Sequence, residues 1–198
     1  MNGQYSDGGL YIVLSPLGGG HWHHALYIHV SHPYGMLYQL KLATPTTPPA
    51  LSDHLIEHMP TSRTVSAALL IDPDVRDHRL AAAHSILIDT SIPALVNTSI
   101  TTPDTDPADA ASASSAWVVS ALTRLGTAVL GLDEPVEPLM EQVSLLAAYA
   151  AANGSCEMRL SQALQARRKT AECEEVKRCW VHGCETCAMI RQRGCRDE

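Results

Sequence analysis

The run HWHHALYIHV at residues 21–30 decides the fold of this chain. It follows a GGG loop at residues 18–20, and the linker SHPYG separates it from a second apolar run, MLYQLKL, at residues 36–42. Branched and aromatic residues dominate both runs, which predicts β-strands at 25–30 and 36–42, and the Pro and Gly between them predict a hairpin loop. Because side chains alternate along a strand, His23 and His24 are expected to project from opposite faces of the sheet.

The remaining elements follow from apolar periodicity and from cap and breaker residues. Two further strands are predicted at 10–15 and 64–71, and loops at 43–50 and 98–109. Helices are predicted at 53–59 (capped by Ser52), 72–88, 114–129, 135–152 and 157–178.

Strands precede helices along the chain, which predicts an α+β fold: an antiparallel sheet with helices packed on one face. We expect an α+β domain over residues 1–153 and a helical, Cys-rich C-terminal extension over residues 154–198.

Composition excludes several classes of function. The chain has 198 residues and a formal charge of -7, so it lacks the basic surface that nucleic-acid binding requires. No run approaches the roughly 18 apolar residues of a membrane span, and the N-terminus does not have the pattern of a signal peptide. All 6 cysteines follow residue 155, unlike the disulfide framework of a secreted domain. These features predict a cytoplasmic protein.

Three residues form a candidate catalytic set. His23 opens the second strand, Gln39 lies on the neighbouring strand, and Ser114 is predicted at the N-terminus of a helix. A nucleophile needs an imidazole as its base, and the imidazole needs a polar group that holds its tautomer. A helix N-terminus adds a favourable dipole and backbone N–H groups for an oxyanion.

The segment HHALYI at residues 23–28 resembles the His-Trp-Ala-Leu-Tyr-Val strand of circularly permuted papain-like proteins. These include lecithin-retinol acyltransferase-like proteins, PPPDE-type proteins and related fungal families. In that superfamily a following strand carries a polar orienting residue, which Gln39 matches. A helix then opens with a pattern similar to Asn-Cys-x-x-Trp-Val, and ASSAWV at residues 113–118 matches its Trp and Val. Ser114 stands where that pattern has the nucleophilic cysteine.

The resemblance spans about residues 10–130 and implies a permuted papain-like fold. The missing thiol implies a degenerate member that uses the former active-site cleft to bind a peptide, an acyl group or a protein. The alternative is a hydrolase or acyltransferase in which Ser114 acts with His23 and Gln39. No cofactor is expected, and the oligomeric state stays open.

Two strings resemble zinc sites and form a second alternative. HLIEH at residues 54–58 matches the His-x-x-Glu-His string of inverted zinc peptidases, whose two imidazoles share a helix face. In that family a third carboxylate lies downstream, as Glu134 or Glu137 does here. The tail contains a Cys-x-x-Cys pair, with a disulfide or free thiols as its other interpretations. Both strings are short, so no metal ligand is assigned; the residues concerned are His54, Glu57, His58, Cys173, Cys179, His182, Cys184, Cys187 and Cys195.

Overall fold

A computed structural model describes residues 5–41, 50–57, 65–91, 106–130, 132, 135–153, 157–162 and 165. The chain divides into two compact units, Met1–Ser161 and Gln162–Glu198. The sequence predicts a boundary at 153/154 instead. The described part of the second unit consists of Gln162 and Gln165, so the account below concerns the first unit.

The predicted hairpin lies inside a sheet of six described strands. Its strands β2 (His21–Ser31) and β3 (Tyr34–Lys41) pair antiparallel, and β1 (Leu10–Gly18) pairs with β2 on the other side. The turn between β1 and β2 requires glycine, because Gly18, Gly19 and Gly20 all have positive φ. The predicted strands at 10–15, 25–30 and 36–42 are therefore confirmed over the described residues, each with somewhat different ends.

The outer strands extend the sheet to the order β4-β3-β2-β1-β5-β6. Strand β4 (Ala50–Glu57) and strand β5 (Ala67–Asp72) pair antiparallel with β3 and β1, and β6 (Glu157–Leu160) pairs parallel with β5. The predicted helix at 53–59 is wrong, because residues up to Glu57 pair with β3. The predicted helix at 157–178 is wrong over residues 157–160. In both cases an available sheet edge outweighs local helical preference.

Three helices lie in the described part of the first unit: α1 (Asp77–Ile88), α2 (Pro107–Ala128) and α3 (Val136–Asn153). Helix α2 begins earlier than predicted. Asp106 caps it by accepting a hydrogen bond from the Ala108 N–H at 2.9 Å, and Pro107 occupies the first turn. The expectation of a loop up to residue 109 is therefore wrong, because Asp and Pro here begin a helix.

The two faces of the sheet differ. The helix face packs against all three helices and forms the main core, with Trp117 and Leu125 of α2 fully buried against it. Its strand residues include Leu10, Ile12, Leu14, Leu26, Ile28, Tyr38, Leu40, Leu69 and Ile71. The opposite face, here called the tyrosine face, is also buried and carries Tyr11, Val13, Ala25, Tyr27, Leu37, Ala68 and Leu70. The α+β class, with the described helices on one face, is confirmed.

Candidate functional site

The start of β2 brings two of the three candidate residues to one face. His23 and Gln39 both lie on the tyrosine face, because Gln39 pairs with Ala25, the next residue on the same side of β2 as His23. Both side chains are half-buried. Burial lowers the pKa of His23 below its ordinary value, so its imidazole is neutral near pH 7 and can accept a proton.

A third polar residue joins this pair, and the sequence analysis did not identify it. Ser15 of β1 is the direct register partner of His23 and is also half-buried. Directly paired residues have β-carbons about 5 Å apart. Ser15 therefore lies directly opposite His23, and Gln39 lies diagonally across from His23, opposite Ala25. These three residues of β1, β2 and β3 are here called the polar row. The signal that could have revealed Ser15 is the hairpin register between β1 and β2.

Ser114 lies near the same end of β2 but in a different role. Its Oγ accepts a hydrogen bond from the backbone N–H of His24 at 3.1 Å and donates to the Ala111 carbonyl at 3.0 Å. The residue is 0% exposed. It lies within α2, which begins at Pro107, so its predicted place at the helix N-terminus is wrong.

The sheet separates Ser114 from the imidazole of His23. Helix α2 packs on the helix face, whereas the His23 side chain projects from the tyrosine face. The structure therefore places His23 and Gln39 on one face of the sheet, one alternation apart in register, and brings Ser114 to the backbone of β2. In this arrangement the Ser114 hydroxyl bonds to backbone groups. Ser114 also lies about two helical turns from the N-terminus of α2, where the helix dipole has its effect.

His24 occupies the helix face beside Ser114. Its Nδ1 is buried and has no hydrogen-bond partner among the described residues, and the same holds for Nε1 of the fully buried Trp117. Burial, with a smaller contribution from neighbouring His23, lowers the pKa of His24 to about 4. This imidazole is consequently neutral under ordinary conditions, and protonating it opposes folding.

A second polar cluster lies at the other end of β2. Nδ1 of the buried His29 is 2.9 Å from the Tyr27 hydroxyl, and its Nε2 is 3.5 Å from an Asp7 carboxylate oxygen. The ring of Tyr5 packs edge-on against Tyr27 at 5.1 Å. Tyr27 is 0% exposed, so the cluster acts in packing: it fastens the segment that precedes β1 to the tyrosine face.

The first zinc string does not form the helical pair that its pattern needs. His54 and Glu57 lie on strand β4, while His58 lies outside the described residues, as do Glu134 and the whole tail set from Cys173 to Cys195. Glu137 lies in the first turn of α3. Among the described residues, no group of three or more His, Cys, Asp or Glu side chains could hold a metal ion.

Comparisons with protein-family models, with curated proteins and with solved structures gave no match to this chain. None of the helices in the described ranges is long and apolar enough to cross a membrane.

Proposed function

We propose that this chain is a non-catalytic binding domain of permuted papain-like descent. In this proposal the polar row of Ser15, His23 and Gln39 contacts the ligand, and Ser114 is structural. The proposal includes the intracellular location that the cysteine distribution predicts.

The burial and the hydrogen bonds of the Ser114 hydroxyl are the main support for this proposal. A catalytic hydroxyl must reach a substrate atom and give its proton to a base. Ser114 is 0% exposed and its hydroxyl proton is directed to the Ala111 carbonyl. The Ser114 oxygen accepts a hydrogen bond from the backbone N–H of His24. His24 lies just before Ala25, where the pairing of β2 with β3 begins. This serine therefore supports the junction of α2 and β2.

The polar row suits an uncharged polar ligand. A serine hydroxyl, a neutral imidazole and a primary amide offer both donors and acceptors and carry no formal charge. Such a set matches a peptide group or the carbonyl of an acyl chain. Half-burial of the row limits competition from water, which strengthens hydrogen bonds to a ligand.

A serine-directed fluorophosphonate probe tests the non-catalytic part. We expect mass spectrometry to find no adduct at Ser114 in the folded protein, with or without His23→Ala. In Ser114→Cys, the buried thiol should react with iodoacetamide only after unfolding. An adduct at Ser114 that disappears in His23→Ala would instead support the hydrolase or acyltransferase alternative.

Binding is tested by NMR titration of the ¹⁵N-labelled protein with tri-alanine amide and, separately, with a short-chain glycerol ester. Saturable shifts at Ser15, His23 and Gln39 are expected with one of these probes. The shifts should be lost in Gln39→Ala and retained in His78→Ala, an exposed histidine of α1. Shifts that avoid the polar row with both probes would contradict the proposed site.

A further inference from the structure

A pair of imidazoles lies at the start of strand β2. His21 and His23 are alternate residues of this strand, so both side chains project from the tyrosine face. Both are half-buried, which leaves part of each side chain in contact with solvent. The polar row includes His23 but not His21. The pair therefore adds a second imidazole to this end of the sheet.

The spacing of the pair suits a shared metal ion. Alternate residues of a strand are about 6.7 Å apart, and their side chains lean along the strand direction. Two nitrogen ligands that each lie about 2.1 Å from one ion are about 3.4 Å from each other. Two imidazoles on the same face can close this difference by leaning toward each other. Adjacent residues such as His23 and His24 cannot, because they project from opposite faces.

The turn before β2 leaves room for an ion beside the pair. A β-carbon added at Gly18 or at Gly20 would meet no atom of the described residues within 4 Å. The register of β1 shifts between Pro16 and Gly18, directly opposite the first two residues of β2. Such bulges change the direction of neighbouring side chains and are frequent next to functional sites. This end of the hairpin is thus both open and irregular.

The chemistry of the surroundings favours a transition-metal ion. Burial lowers the pKa of His23 below its ordinary value, so near pH 7 its imidazole is neutral, as metal ligation requires. Ser15 and Gln39 are uncharged and can form hydrogen bonds with water molecules bound to an ion. Imidazole nitrogen suits zinc, nickel and copper ions, whereas calcium and magnesium ions prefer oxygen ligands.

We propose that His21 and His23 bind one divalent transition-metal ion through one ring nitrogen each, with water at the remaining coordination positions. A site with two protein ligands agrees with the finding that the described residues contain no group of three or more metal-binding side chains. The site shares no residue with the two zinc strings of the sequence. It does not depend on the function proposed for the polar row, although a bound ion would compete with a ligand for the imidazole of His23.

The test is an NMR titration of the ¹⁵N-labelled full chain with Ni²⁺. This ion is paramagnetic and broadens the signals of the residues around it. The backbone signals of residues 21–23 and of Ser15 should broaden together in a saturable way. Half-saturation there should require at least about tenfold less Ni²⁺ than at His78, a single exposed histidine of α1, because the second imidazole of the pair binds intramolecularly.

Substitutions separate this site from other histidines and from the polar row. His21→Ala and His23→Ala should each weaken Ni²⁺ binding at the start of β2 about tenfold or more. His78→Ala should leave it unchanged. Gln39→Ala retains both imidazoles and should also retain Ni²⁺ binding, although it should abolish binding of the peptide or ester probe. Signals far from β2 should overlay with those of wild type, which checks that each variant is folded.

Two results would overturn the proposal. Broadening around His21 and His23 that requires as much Ni²⁺ as broadening around His78 would show independent histidines rather than a chelating pair. Equal Ni²⁺ affinity of wild type and His21→Ala at the start of β2 would show that His21 is not a ligand. Either result would leave the function proposed for the polar row intact, because that function is tested by the peptide and ester probes alone.

Discussion

Acid should destabilise this protein, and protonation of His24 should make the main contribution to that loss of stability. The folded state lowers the pKa of His24 to about 4, from the ordinary value of 6.5 that it regains on unfolding. The neutral imidazole is therefore favoured in the folded state, and the associated stability is complete above pH 6.5. It is lost as the pH falls from 6.5 through about 4. Between about pH 8 and about pH 5, this single group should cost about 2 kcal/mol of unfolding free energy.

Urea denaturation of wild type and His24→Leu at these two pH values measures the effect. Leucine has a similar size, cannot titrate and removes the unpartnered Nδ1, so the variant should be at least as stable as wild type at the higher pH. Its stability should fall by about 2 kcal/mol less than that of wild type on acidification. His78→Leu, at an exposed histidine, provides the control and should follow wild type. Equal acid sensitivity of His24→Leu and wild type would refute the assignment.

Two other substitutions test the packing around the site. Ser114→Ala should lower the unfolding free energy by about 1–3 kcal/mol, because the buried His24 N–H loses its acceptor. Ser144→Ala, on the exposed face of α3, is the control and should be nearly neutral. Similar losses for the two variants in urea denaturation would contradict a structural role for Ser114. Gly35→Ala should lower it by about 1–3 kcal/mol, because a β-carbon there overlaps the buried Tyr27 ring. In Gly126→Ala the new β-carbon comes closest to Cδ1 of the Leu132 side chain, at 3.0 Å. An equal loss in thermal melting of both variants would therefore count against the Tyr27 clash.

The central strands could be predicted because their signal is local. In β2 the apolar alternation, the preceding glycines and the following Pro and Gly agree, so the strand and the hairpin could be predicted, whereas the register came from the structure. The pattern of α2 likewise matches its buried face, from Trp117 through Leu125. The start of α2 was missed because Asp and Pro are common both in loops and in first helical turns.

The edge strands could not be predicted, because their partners are distant in the chain. The segment at 50–57 has no strong periodicity, and it becomes a strand through its pairing with β3. Strand β6 joins β5 across a separation that includes the three helices α1, α2 and α3. Such pairing depends on which sheet edge remains available after the core forms, and local propensity does not contain that information.

For the candidate site, sequence alone determined which chemical groups the chain possesses: a histidine near the start of a strand, a polar residue on the neighbouring strand, and a serine on the inward-facing stripe of a helix. It also determined the alternation that sends His23 and His24 to opposite faces. Only the tertiary structure decided that α2 covers the face of His24, that Ser114 bonds to backbone groups there, and that Ser15 stands beside His23. The physical reason is that alternation is a property of the strand itself, whereas the face that becomes buried depends on where distant helices pack.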